Sequence, residues 1–135
     1  MAAQLESTAA IPRSSTDKRL LSVGLACIDI INSVAAFPAE DECVRTTAQR
    51  RVRGGNASNS AVVAAACGAT TTWLGTAARE GSPDAEFVTA DLARCNVAAL
   101  PAFRDVDAAP TSYVIASEAT GSRTIARHRA EAISL

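Results

Sequence analysis

Segments that favour strands alternate with segments that favour helices along most of this 135-residue chain. Apolar or β-branched residues predict strands over 20–25, 69–77 and 98–103, and helices are predicted after Gly55 and after Ser82. Strands that alternate with helices build a layer of parallel strands, because a parallel connection needs a crossover of helix length. The sequence therefore predicts an α/β fold.

Four extended segments do not fit inside this alternation. Two of them, 26–31 and 43–52, precede the first predicted helix. The other two, 111–118 and 123–129, flank Ala119-Thr-Gly-Ser, so they predict a β-hairpin around a glycine-containing turn. We expect these segments to form a separate small sheet.

Both predicted helices carry signals at their ends. The first follows a pair of glycines and short polar side chains that can act as caps, and Gly68 is placed to end it. The second begins with Ser82 as N-cap and Pro83 at its first position, and Asn96 can end it. These signals indicate where each helix begins and ends.

The charge balance argues against nucleic-acid and membrane partners. Thirteen basic residues against fourteen acidic residues leave a formal net charge of −1, so no general field attracts a polyanion. The locally basic segment 45–53 contains no aromatic residue to stack on bases, and we interpret it as a solvated strand face. No apolar run approaches the length of a membrane span.

The four cysteines predict reduced thiols rather than a zinc site or a disulfide framework. No two of them form a C-x-x-C pair, and each stands in an apolar or strand-like context typical of a small buried residue. They are Cys27, Cys43, Cys67 and Cys95. This pattern favours a cytoplasmic protein.

The first nineteen residues differ from the rest of the chain. Residues 1–19 are rich in Ala, Ser and Thr and lack a sustained apolar run, which predicts a disordered leader, with a transit peptide as the alternative. The folded domain is accordingly predicted over 20–135.

The string Arg53-Gly-Gly-Asn-Ala-Ser-Asn is the clearest candidate for a ligand-binding segment. Paired glycines allow a ligand to approach the backbone, while Asn56 and Asn59 offer donors and acceptors that suit a polyhydroxylated ligand. The string matches neither the dinucleotide G-x-G-x-x-G pattern nor a P-loop. A glycine turn with an asparagine cap is an equally good interpretation of the string alone.

Other polar residues leave two interpretations open. Asp29 interrupts an apolar strand, where its carboxylate either accepts hydrogen bonds from ligand hydroxyls or lies at an exposed edge. Arg123 follows a tight turn and either grips phosphate oxygens or faces solvent. Asp41 lies in an acidic, solvated turn, and we assign no role to His128.

Four strings stand in a characteristic order between Leu20 and the end of the chain. They are Val23-Gly-Leu-Ala-Cys-Ile-Asp-Ile-Ile, Phe37-Pro-Ala-Glu-Asp, Arg53-Gly-Gly-Asn-Ala-Ser-Asn-Ser and Gly121-Ser-Arg-Thr-Ile. In that order they resemble the PfkB (ribokinase-like) carbohydrate kinases, and within that family the ketohexokinases. The resemblance implies a three-layer α/β/α domain with a small β-sheet lid, incomplete at its C-terminal end, and a sugar held between the two.

The resemblance also implies an activity and a set of site residues. The activity is ATP-dependent phosphorylation of a ketohexose such as fructose, assisted by Mg²⁺, in a homodimer joined through its lids. Arg123 matches a contact to ATP phosphates, although Ser122 stands where ketohexokinases have asparagine. The residues implied to bind the sugar are Asp29, Gly55, Asn56 and Asn59, with Asp41 reaching in from the partner subunit's lid.

One family motif does not occur in the 135 residues. It is Gly-Ala-Gly-Asp, whose amides form an anion hole at a helix N-terminus and whose Asp accepts the proton of the sugar hydroxyl. We therefore expect the chain to supply the sugar site but no catalytic base and no adenine pocket, and to be inactive alone. Two alternatives remain: a truncated, non-catalytic sugar-binding or dimerisation module, and a PfkB kinase for another sugar or a nucleoside.

Overall fold

Nine elements make up residues 18–128, the part of the chain that the structure, a computed structural model, describes. In chain order they are β1 (Arg19–Val23), β2 (Cys27–Val34), β3 (Ala48–Gly54), α1 (Asn56–Ala66), β4 (Thr70–Ala77), α2 (Pro83–Arg94), β5 (Val97–Phe103), β6 (Thr111–Ser117) and β7 (Arg123–His128). Of the leader predicted over 1–19, only the last two positions are described, and Arg19 already belongs to β1.

The first sheet is parallel and has the strand order β1-β4-β5. The two helices are its crossovers, α1 before β4 and α2 before β5, as the alternation predicted. Both pack on one face, where Trp73 and Leu92 are fully buried together with Val88 and Val97. Burying side chains of this size contributes about 1.5–3 kcal/mol each, so this face is the core of the α/β layer.

The opposite face of this sheet is not covered by any described residue. Strand alternation and the parallel register place Leu21, Val23, Leu74 and Leu100 together there, and we call this set the open face. Leu21, Val23 and Leu100 are 57%, 58% and 55% exposed. Residues 18–128 thus form two of the three layers that a complete α/β/α sandwich has.

The second sheet has four strands in the order β3-β2-β6-β7. The predicted small sheet is therefore confirmed: β2 pairs antiparallel with β3, and β6 forms the expected hairpin with β7. Between the two pairs, β2 runs parallel to β6, with Asp29 opposite Ser112. We call this four-stranded sheet the lid.

The structure corrects the extent of one lid strand. The segment predicted as extended over 43–52 becomes a strand only at Ala48, because pairing with β2 begins where Ser33 faces Ala48. Residues 35–47 instead form an exposed connection, which contains the predicted turn near Asp41.

The helix-end signals operate as predicted except at the start of α1. In α2 the Ser82 hydroxyl accepts a hydrogen bond from the Ala85 amide at 3.3 Å, and Asn96, with φ 59°, follows the last turn. In α1 the N-cap is Gly55 and no side chain caps the helix. The first helical turn therefore leaves backbone amides facing the space in front of it.

The four cysteines are free, but their predicted burial is only partly correct. Cys27 is buried, whereas Cys43 and Cys67 are exposed, because the first lies in the 35–47 connection and the second follows the last turn of α1. None of the helices within residues 18–128 combines the length and the apolar character that crossing a membrane requires.

The open face predicts how the 135-residue chain behaves in solution. Leu21→Lys combined with Leu100→Lys should lower the fluorescence of the dye ANS and raise the yield of monomer, because both changes remove exposed apolar surface from one patch. Val63→Lys is the matched control, since Val63 is 63% exposed but lies on α1, away from this patch. If the double variant and Val63→Lys changed ANS fluorescence equally, this interpretation of the open face would be contradicted.

Candidate functional site

A cleft of about 1020 Å³ lies between the lid and the carboxyl end of β1. Its floor consists of the turn after β1, which includes Gly24 and Leu25, and of the first turn of α1. Its roof is one face of the lid. Ligands of open α/β sheets bind at the carboxyl ends of the strands, so the position of this cleft is that of a binding site.

Strand alternation determines which lid side chains face the cleft. The register aligns Asp29, Ser112 and Arg127 in one row across three strands. The neighbouring rows carry Arg50 with Ile31, Val114 and Ile125, and then Ala116 with Arg123. All these residues line the cleft.

Five of the six predicted site residues come together at this cleft. Asp29 lines it from the lid, Arg123 lines it from β7, and Gly55, Asn56 and Asn59 line it from the start of α1. Asp41 does not line it, because it lies in the exposed 35–47 connection, where its φ of 64° places it in the left-handed region.

Asp29 lies on a central strand, so the alternative of an exposed edge position is wrong. Its Oδ1 accepts a hydrogen bond from the Cys27 thiol at 3.4 Å. Its carboxylate rests directly against Gly54, where an added Cβ would be closer than 3.0 Å to both carboxylate oxygens. The first glycine of the pair therefore makes room for the Asp29 side chain.

The second glycine permits a close backbone approach. Gly55 has φ 103°, and a Cβ there would lie within 3.0 Å of the Leu25 carbonyl oxygen. Only glycine combines this conformation with this contact. The contact sets the first turn of α1 beside the end of β1, so that Asn56 and Asn59, three residues apart, both reach the cleft.

The role of Arg53 was not predicted from the sequence. We interpreted segment 45–53 as a solvated strand face, but the Arg53 side chain is only 7% exposed. Its Nε pairs with Asp91 of α2 at 2.8 Å, and its Nη1 donates to the Ser58 hydroxyl and to Asn59 Oδ1, both at 2.8 Å. Arg51 likewise pairs with Asp84 at 2.5 Å. Both arginines project from the lid face that meets α2, but the Arg51 side chain is 42% exposed, so the solvated interpretation is wrong for Arg53 and not for Arg51.

Further basic residues at the cleft were also missed. Arg50, Arg127 and His128 line it together with Arg123, whereas Asp29 is the one acidic residue among the described lining residues. An excess of positive charge in a concave surface attracts anions. Alternation along β3 and β7 was the available signal, but the facing side becomes known only once the lid is assembled.

Comparison with known proteins identifies the class. Residues 17–134 match the pfkB family of carbohydrate kinases, and the chain belongs to this family. Mouse ketohexokinase is 38% identical over 110 residues, which cover 81% of this chain and 36% of the mouse protein. The predicted membership is confirmed.

Solved structures share the fold. The ribokinase of Cryptococcus neoformans in complex with ADP superimposes with a TM-score of 0.69 at 21% identity, over 84% of this chain and 34% of that one. The fructokinase of Xylella fastidiosa with bound ATP gives a TM-score of 0.62 at 21% identity, again over 84% and 34%. The chain thus spans about a third of the length of these relatives, so the ribokinase-like fold is present and incomplete.

The Cys27 thiol provides a test of the cleft's burial. Burial, reinforced by the Asp29 carboxylate, raises its pKa from 9.0 to about 11. Thiolate is the reactive form, so at pH 8 iodoacetamide should modify the exposed Cys43 and Cys67 well before Cys27. Because the folded state holds this proton more tightly, the free energy of unfolding should fall between pH 9.0 and about 11.

Peptide mass spectrometry measures the order of modification. The same reaction in concentrated urea is the control, because all four thiols are then equally accessible. If Cys27 in the folded chain were modified as fast as Cys67, its thiol would be neither buried nor lowered in reactivity.

Proposed function

We propose that this chain forms the sugar-binding part of an ATP-dependent kinase for a ketohexose such as fructose. The observation that carries the proposal is the convergence of Asp29, Asn56 and Asn59 on one cleft beneath the lid. A carboxylate accepts hydrogen bonds and an amide both donates and accepts them, which together match adjacent hydroxyl groups. The close approach of the Gly55 backbone to the Leu25 carbonyl oxygen holds the first turn of α1 beside the end of β1, and this brings both asparagines to the cleft.

The preference for a ketohexose is supported by the 38% identity to mouse ketohexokinase. Within the string Arg53-Gly-Gly-Asn-Ala-Ser-Asn, the residues that line the cleft are Gly55, Asn56, Ala57 and Asn59. Ribose or adenosine remains an alternative substrate within the same family, because Asn and Asp side chains also suit ribose hydroxyls.

The nucleotide is proposed to be ATP, with its phosphates near β7. Arg123 and Arg127 face the cleft from this strand, and Arg50 faces it from β3. Arginine binds phosphate oxygens bidentately and does not lose its charge near neutral pH. Residues 18–128 hold no group of three or more His, Cys, Asp or Glu side chains placed to bind a metal, so Mg²⁺ enters this proposal only with the nucleotide.

These residues bind and orient rather than transfer a proton. Asp29 and the two asparagines hold the sugar hydroxyls, while the arginines offset phosphate charge, which is the main task in phosphoryl transfer. The Gly-Ala-Gly-Asp string does not occur in the 135 residues. We therefore propose that the chain alone binds sugar without turnover, as a non-catalytic module would.

A homodimer joined through the lids is proposed from the exposed 35–47 connection. Phe37 and Val44 are 45% and 37% exposed there, and Asp41 lies between them in the chain. Covering these apolar side chains would favour association. Asp41 would then enter the partner subunit's cleft.

The four free thiols suit a reducing compartment, so a cytoplasmic location belongs to the proposal.

Calorimetry tests the function directly. Titration of the 135-residue chain with D-fructose should give saturable binding, and added ATP should yield no ADP. If the chain binds D-ribose or adenosine but not fructose, the proposed substrate changes from a ketohexose to that ligand. If it binds none of these ligands, the proposed sugar site is refuted.

Sedimentation velocity on the same sample tests the proposed dimer. A chain that is monomeric and still binds fructose at every site would exclude a contribution from the partner's Asp41.

Gly54→Ala tests the role of Asp29 in sugar binding. The added methyl group would overlap the Asp29 carboxylate and displace it, so the affinity for fructose should fall at least about tenfold. Gly68→Ala is the control: Gly68 has φ 93° and open space around it, so the change strains the backbone by about 1–2 kcal/mol without touching the cleft. Equal affinities in the two variants would remove Asp29 from the proposed site.

A further inference from the structure

We propose that Arg53 is a positioning residue that turns the Asn59 amide so that its NH₂ group, rather than its oxygen, faces the ligand. The inference rests on the proposed sugar site and specifies how one of its side chains is presented. It is drawn from the hydrogen bonds behind the cleft.

Arg53 approaches Asn59 from outside the cleft. It lies opposite Ile28 in the β2–β3 pair, one position from the row that contains Asp29, so it projects from the face that meets α2. Asn59 lines the cleft, whereas Arg53 does not. The 2.8 Å bond from Arg53 Nη1 to Asn59 Oδ1 therefore joins a residue behind the site to one within it.

The chemistry of arginine determines which amide atom it contacts. A guanidinium group only donates hydrogen bonds, so its partner on Asn59 must be the oxygen. Turning the amide by 180° would place its NH₂ group against Nη1 and leave two donors facing each other. The Asn59 NH₂ group consequently remains for the ligand, which must offer an acceptor oxygen at that point.

Arg53 is itself firmly held. Its Nε pairs with Asp91, which is 15% exposed on its side chain, and its Nη1 also donates to the fully buried Ser58. The Ser58 hydroxyl in turn donates to the Gly54 carbonyl oxygen at 2.7 Å. The amide orientation of Asn59 is thus connected to α2 and to the paired glycines, which leaves it little freedom to rotate.

Arg51 offers a matched control for substitutions. It lies on the same strand and the same face, and it also pairs with an aspartate of α2, Asp84. It contacts the Phe87 ring, 4.2 Å from its centroid, and it does not line the cleft. Lysine keeps the positive charge but cannot hold two or three partners in fixed directions as the guanidinium fork does.

The first experiment measures fructose affinity in a double-mutant cycle on the 135-residue chain. Arg53→Lys should weaken binding about tenfold, and Arg51→Lys should change it less than about twofold. In an Asn59→Ala background, Arg53→Lys should have almost no further effect, because Arg53 acts through Asn59. If Arg53→Lys weakened fructose binding by the same factor with and without Asn59→Ala, the two residues would act independently and the inference would be overturned.

A second variant leaves Arg53 untouched. Asn59→Asp retains an oxygen for Arg53 and adds a charge attraction to it, but has no NH₂ group to donate. It should melt at the same temperature as the parent chain or higher and yet bind fructose at least about tenfold more weakly. Undiminished binding by this variant would show that the NH₂ group is not the atom presented to the sugar.

A third measurement separates this inference from the sugar site itself. In ¹⁵N-asparagine-labelled chain without ligand, Arg53→Lys should shift the Asn59 side-chain NH₂ signals, and Arg51→Lys should leave them in place. If the parent chain binds no sugar, the proposed function fails, while unchanged Asn59 signals in Arg53→Lys would overturn the positioning role on its own.

Discussion

The backbone contact between Gly55 and the Leu25 carbonyl is the constraint on which the rest of this structure depends. A β-carbon at Gly55 would lie within 3.0 Å of that oxygen, and the backbone there has φ 103°. The contact brings the end of β1, the start of the lid and the start of α1 to one point. Because these segments meet there, the floor and the roof of the cleft both begin at the same place.

A buried ion pair holds the lid against the α/β layer. Arg53 belongs to a lid strand and Asp91 to α2, and their side chains are 7% and 15% exposed. Such a pair adds little net stability, because desolvation offsets most of the attraction, but removing one partner leaves a costly unpaired charge. Its value is geometric: it connects the lid strand β3 to α2 at the point where the same guanidinium group holds the Asn59 amide.

Much of this organisation could be predicted from the sequence, because it depends on neighbours along the chain. Alternation indicated the elements, Ser82 and Asn96 marked the ends of α2, and the turn around Gly121 indicated the hairpin. The parallel pairing of β2 with β6 could not be foreseen, since no local signal records the register of distant segments. The exposure of Cys43 and Cys67 was also missed, because burial depends on which other segments pack against a residue.

By itself the sequence determined the order of strands and helices, the family and the set of polar residues at the paired glycines, because each of these is written in contiguous residues. Tertiary structure alone decided which face of each lid strand meets the cleft. Side chains alternate between the two faces of a strand, so Arg50 and Arg53 are equivalent in sequence until the lid packs against α2. That packing places Arg50 beside the proposed ligand and Arg53 behind it.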